Sequence, residues 1–275
     1  MIESNNVRRE HYRHQGYVVV RNGIPAEVIS HYRALLDGMI QSLKENERPE
    51  HLVEPHVRAD CWKEWLELCR LPVILDEVQS ALGASELILL MTHLIVKPAN
   101  DGKAVCWHQD NTYWPSVTGT DISTVWLALD DVTLENGCMQ VIPRSHAAYE
   151  AHEMHATDGD DLLKVTIEMS PEMIAQAIPV ELKAGEFSLH DSFIIHGSEP
   201  NRSPRRRAGY TMRYADAKSV RVDVPNHGKP VYYVRGDGSY CNAGYRDIRP
   251  GQPLPDNPGM HRSRHFPTMT ENPTS

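Results

Sequence analysis

From residue 85 the chain becomes a series of short strand-like runs, and these limit its fold more than any other feature. They are 86–98 (ELILLMTHLIVKP), 124–132 (TVWLALDDV), 138–143 (CMQVIP), 179–183 (PVELK), 186–191 (EFSLHD), 192–198 (SFIIHGS) and 209–216 (GYTMRYAD). Turn-forming stretches such as ENG (135–137) and KAGE (183–186) separate them. Several short strands in a row, preceded by helices, point to an antiparallel sandwich or jelly roll with the helices packed outside.

The part before residue 85 reads differently. After Gly16, YVVVRNG (17–23) is a short buried strand ending in a turn. Pro25 opens a helix in which Val28, Ile29, Tyr32, Leu35, Leu36, Met39, Ile40 and Leu43 recur at helical spacing. A second helical region carries a core stripe of Trp62, Trp65, Leu66, Cys69, Leu75, Val78 and Leu82 and ends at Gly83. No internal repeat or long linker interrupts the chain. The expected organisation is one domain over 1–275: a helical part to about 84, a β core over about 85–220 and an irregular extension over 221–275. Residues 145–178 are polar and read as an irregular, mobile insert, and the tail from 249 reads as surface coil.

Composition narrows the function. The 275 residues are 40% apolar, enough for a substantial core, and carry a net charge of -9. Such a chain is expected to bind neither nucleic acid nor an anionic membrane non-specifically. No apolar run approaches the ~20 residues of a membrane span, and residues 1–16 lack the apolar core of a signal peptide. The expectation is a soluble, cytoplasmic protein with a small-molecule substrate, either monomer or homodimer. Five cysteines form no C-x-x-C and read as reduced thiols. Fifteen histidines raise a metal hypothesis without establishing it.

That hypothesis centres on CWHQDNTYW (106–114). Two residues apart on an extended segment, His108 and Asp110 point to the same side. A facial metal triad then needs one more histidine from a distant strand. The candidates are His93, His146, His152, His155, His190 and His196. His196 is the best, because it ends the apolar run SFIIHG, whereas His190 reads as a turn residue in a supporting or surface place. The cluster HAAYEAHEMH (146–155) lacks the H-E-x-x-H spacing and reads as a solvated loop. Arg207 follows His196 by eleven residues. A hairpin would bring the two together, as a diacid co-substrate chelated at one end and paired with a guanidinium at the other requires.

Taken together, these segments resemble the phytanoyl-CoA 2-hydroxylase-like family of Fe(II)/2-oxoglutarate dioxygenases. The resemblance is carried by WHQD (107–110), the strand with Trp126, NGCMQVIPRSH (136–146), KAGEFSLHDSFIIHGSEPN (183–201) and RRRAGYTMRY (205–214). It covers roughly residues 10–220 and fades beyond. It implies a double-stranded β-helix (jelly roll, cupin-like), with His108, Asp110 and His196 as the catalytic iron ligands. It implies further that Arg207 holds the distal carboxylate of 2-oxoglutarate, assisted by Ser198 and Trp126. Dioxygen would be the second co-substrate, and hydroxylation of an unactivated C–H bond would release succinate and carbon dioxide. In halogenases resembling this family, Gly or Ala replaces the carboxylate ligand, so Asp110 implies hydroxylation instead.

The substrate is less constrained. Asn111, Tyr113, Trp114, Lys97, Arg205 and Arg213 are candidates for a polar, partly aromatic pocket taking a small polar, anionic or zwitterionic metabolite. Arg205 and Arg206 also read as a solvated basic turn. Competing readings are a non-enzymatic β-helix binding module, an oxygenase of larger lipid or acyl-CoA substrates, and a zinc hydrolase built on the 146–155 cluster. No segment suggests a pantetheine or adenine site, and no general-base motif lies beside that cluster.

Overall fold

The computed structural model describes residues 5–21, 23–159, 161–223 and 229–257. Helix α1 (Asn5–Gln15) leads into strand β1 (Tyr17–Val20), followed by α2 (Ala26–Gln41), α3 (Pro55–Arg58), α4 (Trp62–Leu68) and α5 (Pro72–Leu82). Gly83 ends α5 in the left-handed conformation at φ 68°, which a residue with a side chain rarely adopts. The strands that follow are β2 (Leu87–Lys97), β3 (Val105–His108), β4 (Val117–Thr118), β5 (Ile122–Ala128) and β6 (Met139–Val141). A hairpin of β7 (Met154–Ala156) and β8 (Val165–Ile167) precedes the short helix α6 (Pro171–Ile174) and β9 (Ile178–Val180). β10 (Phe187–Asp191), β11 (His196–Ser198), β12 (Arg207–Asp216), β13 (Arg221–Val222), β14 (Val231–Arg235) and β15 (Tyr245–Asp247) complete the order.

Two sheets carry the fold. The larger has seven strands in the order β1-β10-β5-β12-β2-β14-β15, and the smaller has four in the order β3-β11-β6-β9. Pairing is antiparallel except between β14 and β15. The chain crosses between sheets as it winds, from β10 in the large sheet to β11 in the small and back to β12. This is the double-stranded β-helix expected from the sequence.

Strand alternation explains where the core and the cavity lie. On β12, Ala208, Tyr210, Met212 and Tyr214 join the core shared with Leu36, Trp65, Leu75 and Val78 of the helices. The alternate residues Arg207, Thr211 and Arg213 turn into a cavity between the sheets. Both faces of the strand are covered, so β12 reads as a nearly continuous buried run. Apolar clusters around Trp126 and Val141 and around Met91 and Trp114 contribute further packing.

Three expectations are corrected. Residues 192–195 are a corner between sheets, and only 196–198 of that run form strand. The 145–178 segment is not irregular throughout, since it contains the β7–β8 hairpin and α6. Residues 229–247 are not an irregular extension either, because β14 and β15 extend the large sheet and bury Val231, Tyr232, Tyr233 and Val234. Residues 258–275 of the expected surface tail lie outside the described residues. Among the described residues no helix is long and apolar enough to cross a membrane.

Candidate active site

Antiparallel pairing of β3 and β11 sets His108 directly opposite His196. Their ring centroids are 4.1 Å apart. β3 stops at His108, but Gln109 stays extended (φ -117°, ψ 132°) before Asp110 opens a 3-10 turn. One extended residue is enough to turn Asp110 to the same side as His108. Gln109 points away, and its amide donates to the Phe193 carbonyl at 2.7 Å and the Glu150 carbonyl at 3.0 Å. One ligand atom from each of His108, Asp110 and His196 lies within 4.8 Å of the others, and all three residues are buried. Among the described residues no other group of His, Cys, Asp or Glu is placed to hold a metal.

The surrounding bonds fix the chemistry of this donor set. His108 Nδ1 donates to the Cys106 carbonyl at 2.7 Å, and His196 Nδ1 donates to the Ile194 carbonyl at 3.0 Å. Each Nε2 lone pair is thereby left for a metal. Burial pulls the pKa of both histidines below the ordinary value, His196 strongly, with His108 and His190 adding to the effect there. Burial alone would raise Asp110, but Arg213 and the neighbouring histidines outweigh it and hold the carboxyl well below its usual range. Thr124 Oγ1 donates to Asp110 Oδ2 at 2.7 Å, and Arg213 donates to Oδ1 at 3.3 Å. Two neutral imidazoles and one ionised carboxylate on one side of a pocket fit a divalent iron with open positions.

His190 is not a turn or surface residue. It lies on β10, buried, with Nε2 3.6 Å from Asp110 Oδ2 and its ring 4.6 Å from that of His196. The 146–155 histidines are not a site. His146 reaches the Arg13 carbonyl at 3.2 Å, while His152 and His155 are exposed.

A second feature lies further along the cavity. Arg207 is 1% exposed, and its Nε donates to the Gly137 carbonyl at 3.1 Å. Among the described residues no carboxylate pairs with it, and burial lowers it to about 10. Its guanidinium carbon stands 5.0 Å from the Trp126 ring centre. Gly209 makes room for that ring, since a Cβ there would lie 2.2 Å from the indole. Lys97 faces Arg207 across the β2–β12 pair, and its ammonium is 2.7 Å from Ser198 Oγ. Burial also drives Lys97 well below its ordinary value. Arg207, a buried cation answered by the Gly137 and Ile95 carbonyls, makes a place for an anionic ligand, with Lys97 behind Ser198.

One cavity of about 390 Å³ contains the triad, Arg207, Ser198 and Trp126. Of the residues expected to contact substrate, Tyr113, Trp114 and Arg213 line it, and Asn111, Lys97 and Arg205 do not. Asn111 ties its backbone N–H to Ser192, Lys97 backs Ser198, and Arg205 is exposed 3.8 Å from Glu135. Arg206 is not solvated, because it pairs with Asp130 at 2.8 Å and with Asp37. Thr124, Glu54 and Lys229 also line the cavity without having been singled out by sequence, as does His93, which the sequence offers only as a metal candidate. Thr124 was readable as a residue two before Trp126 on one strand face. Glu54 and Lys229 carry no local signal and meet only through the fold.

The family model described as phytanoyl-CoA dioxygenase matches residues 12–209. A probable phytanoyl-CoA dioxygenase of Caenorhabditis elegans is 25% identical over 234 residues, which cover 76% of this chain and 74% of the relative. The peroxisomal phytanoyl-CoA dioxygenase of Homo sapiens is 24% identical over 244 residues, covering 80% of this chain and 72% of that one. Among solved structures, the apo form of the non-heme monooxygenase ThoJ superposes with a TM-score of 0.69 at 24% identity. That superposition covers 91% of this chain and 89% of the other. The three triad residues and Arg207 all fall inside the matched segment.

Proposed function

The chain belongs to the phytanoyl-CoA dioxygenase family of Fe(II)- and 2-oxoglutarate-dependent oxygenases, and from that premise we propose that it hydroxylates a small polar or anionic metabolite. The bond oxidised is an unactivated C–H, with release of succinate and carbon dioxide. The observation that carries this reading is a single cavity joining the triad to a buried guanidinium that has no carboxylate partner among the described residues.

In this reading His108, Asp110 and His196 hold Fe(II), and Arg207 takes the distal carboxylate of 2-oxoglutarate. Ser198, held by Lys97, adds a hydroxyl contact at that end, and Trp126 packs beside the guanidinium. When bound, the iron and its keto acid activate dioxygen for C–H oxidation. The protein's share is positional. The Cys106 and Ile194 carbonyls fix the imidazole tautomers, and Thr124 and Arg213 hold the Asp110 carboxylate. Asp110 occupies a position that halogenation would need free, which favours hydroxylation. A cavity of about 390 Å³ is near the small end for ligand sites and favours a metabolite over a whole acyl-CoA. A cytoplasmic setting suits the five unpaired cysteines.

The test is anaerobic addition of Fe(II) and 2-oxoglutarate, followed by air and a metabolite panel. A weak visible chelate band, succinate release and a product heavier by one oxygen atom are expected. A binding module would give no succinate, and a zinc hydrolase would turn over without oxygen.

A further inference from the structure

We propose that the region around Arg213, Tyr113 and Lys229 is a carboxylate subsite, and that the primary substrate is a small organic acid held there. This inference rests on the oxygenase reading and narrows its substrate class.

The residues are donors in excess of the acceptors around them. Arg213 stands six residues beyond Arg207 on the same face of β12. Its terminal nitrogens donate to Asp110 Oδ1 at 3.3 Å and Thr211 Oγ1 at 2.8 Å, but its buried Nε–H has no hydrogen-bond partner among the described residues. The Tyr113 hydroxyl is likewise buried and unpartnered, while its ring meets His108 edge-on at 5.8 Å. Lys229 is 2.6 Å from Glu54 Oε1. An ammonium has three donors, more than one carboxylate oxygen uses. Glu54 also accepts from Arg58 Nε at 2.9 Å, so one negative charge answers two positive ones.

All three donors line the one cavity. His93 lines the same cavity: burial, then Arg213 and Lys229, lower it to about 3 against the pull of Glu54 and keep it neutral. Arg213 is offset by Asp110, and Glu54 is shared between Lys229 and Arg58, which leaves one positive charge in excess beside the cavity. A lining that offers N–H and O–H donors with a surplus positive charge selects a group that only accepts. A carboxylate satisfies it. An amide or an alkylammonium would leave donors facing donors. Trp114, Met91 and Val53 supply an apolar wall for the hydrocarbon part. Sharing the cavity with 2-oxoglutarate keeps that part short.

The test uses the full chain, loaded anaerobically with Fe(II) and 2-oxoglutarate. The chelate band is recorded first, because its absence would sink the oxygenase reading itself. Butanoate, hexanoate and octanoate are then titrated against their primary amides, with band perturbation and 2-oxoglutarate-dependent oxygen uptake as readouts. At least one acid should act, with its amide tenfold or more weaker. Tyr113→Phe and Lys229→Gln should each weaken the acid about tenfold while the 2-oxoglutarate half-saturation of the band stays put. The proposal is overturned if acid and amide act alike, or if no acid acts on enzyme that shows the band. It is also overturned if the two variants raise the 2-oxoglutarate requirement instead, since the donors would then serve the co-substrate. A response to phytanoyl-CoA alone would count against it as well.

Discussion

Thr124 Oγ1 donates a 2.7 Å hydrogen bond to Asp110 Oδ2, so a hydroxyl on β5 fixes the direction of the carboxylate in the proposed metal triad. The register of β5 against β10 and β12 puts Thr124 between His190 and Arg213. Thr124→Val keeps the β-branched shape and removes the donor. Partners of this kind are commonly worth 10- to 100-fold in metal affinity, so Fe(II) affinity should fall about tenfold. Anaerobic Fe(II) titration checks this, and an unchanged affinity would show that Arg213 suffices to orient Asp110.

Arg207→Ala should raise the 2-oxoglutarate requirement strongly. A buried carboxylate that loses its guanidinium costs about 2–5 kcal/mol. Arg205→Ala should leave that requirement unchanged, since its side chain is exposed. Arg206→Ala should leave it unchanged too, but lower stability by about 1 kcal/mol through the lost Asp130 and Asp37 pairs. Succinate release against 2-oxoglutarate concentration and thermal melts separate the three.

Asp110 also bears on the product. With chloride present, the wild-type enzyme should give only the oxygenated mass. Asp110→Ala should lose most Fe(II) affinity, because one ligand and its charge are gone. A chlorinated product from the wild type would refute the hydroxylase assignment, and an unimpaired variant would remove Asp110 from the triad.

His56 gives an acid limb to stability. Its imidazole is buried, bonded through Nδ1 to Thr92 Oγ1 at 2.7 Å, and burial lowers it from 6.5 to about 4. Between those values the unfolded chain takes up the proton and the folded one does not. The stabilisation is therefore complete above about pH 6.5 and is lost as pH falls toward 4. The melting temperature should drop across that window, and His56→Gln should flatten the drop.

The jelly roll was legible because its strands are short, apolar and cut by turns, and the meeting of His108, Asp110 and His196 because the first two share a face and the third ends an apolar run. Other parts were hidden for physical reasons. β7 is mostly exposed, so no apolar alternation marks the β7–β8 hairpin. VYYVR (231–235) is strand-like by composition, but it lies among polar and glycine-rich segments that read as tail. The place of His190 depends on the β10–β5 register, and the pairing of Glu54 with Lys229 on the packing of distant segments. Neither can be read from local pattern.

β12 works as a ruler. Arg207, Gly209, Thr211 and Arg213 fall on its alternate positions, so one strand sets the spacing between the proposed co-substrate anchor and the guanidinium that meets Asp110. Inserting one residue between Arg207 and Arg213 would turn one of them toward the helices. Inserting two would restore the facing but lengthen the interval by about 7 Å. Arg213 could not then meet Asp110 while Arg207 kept its place beside Trp126. The β7–β8 hairpin reaches the same cavity through Leu162 and Leu163, which come from a turn and not from a strand of either sheet, so the fixed interval belongs to β12.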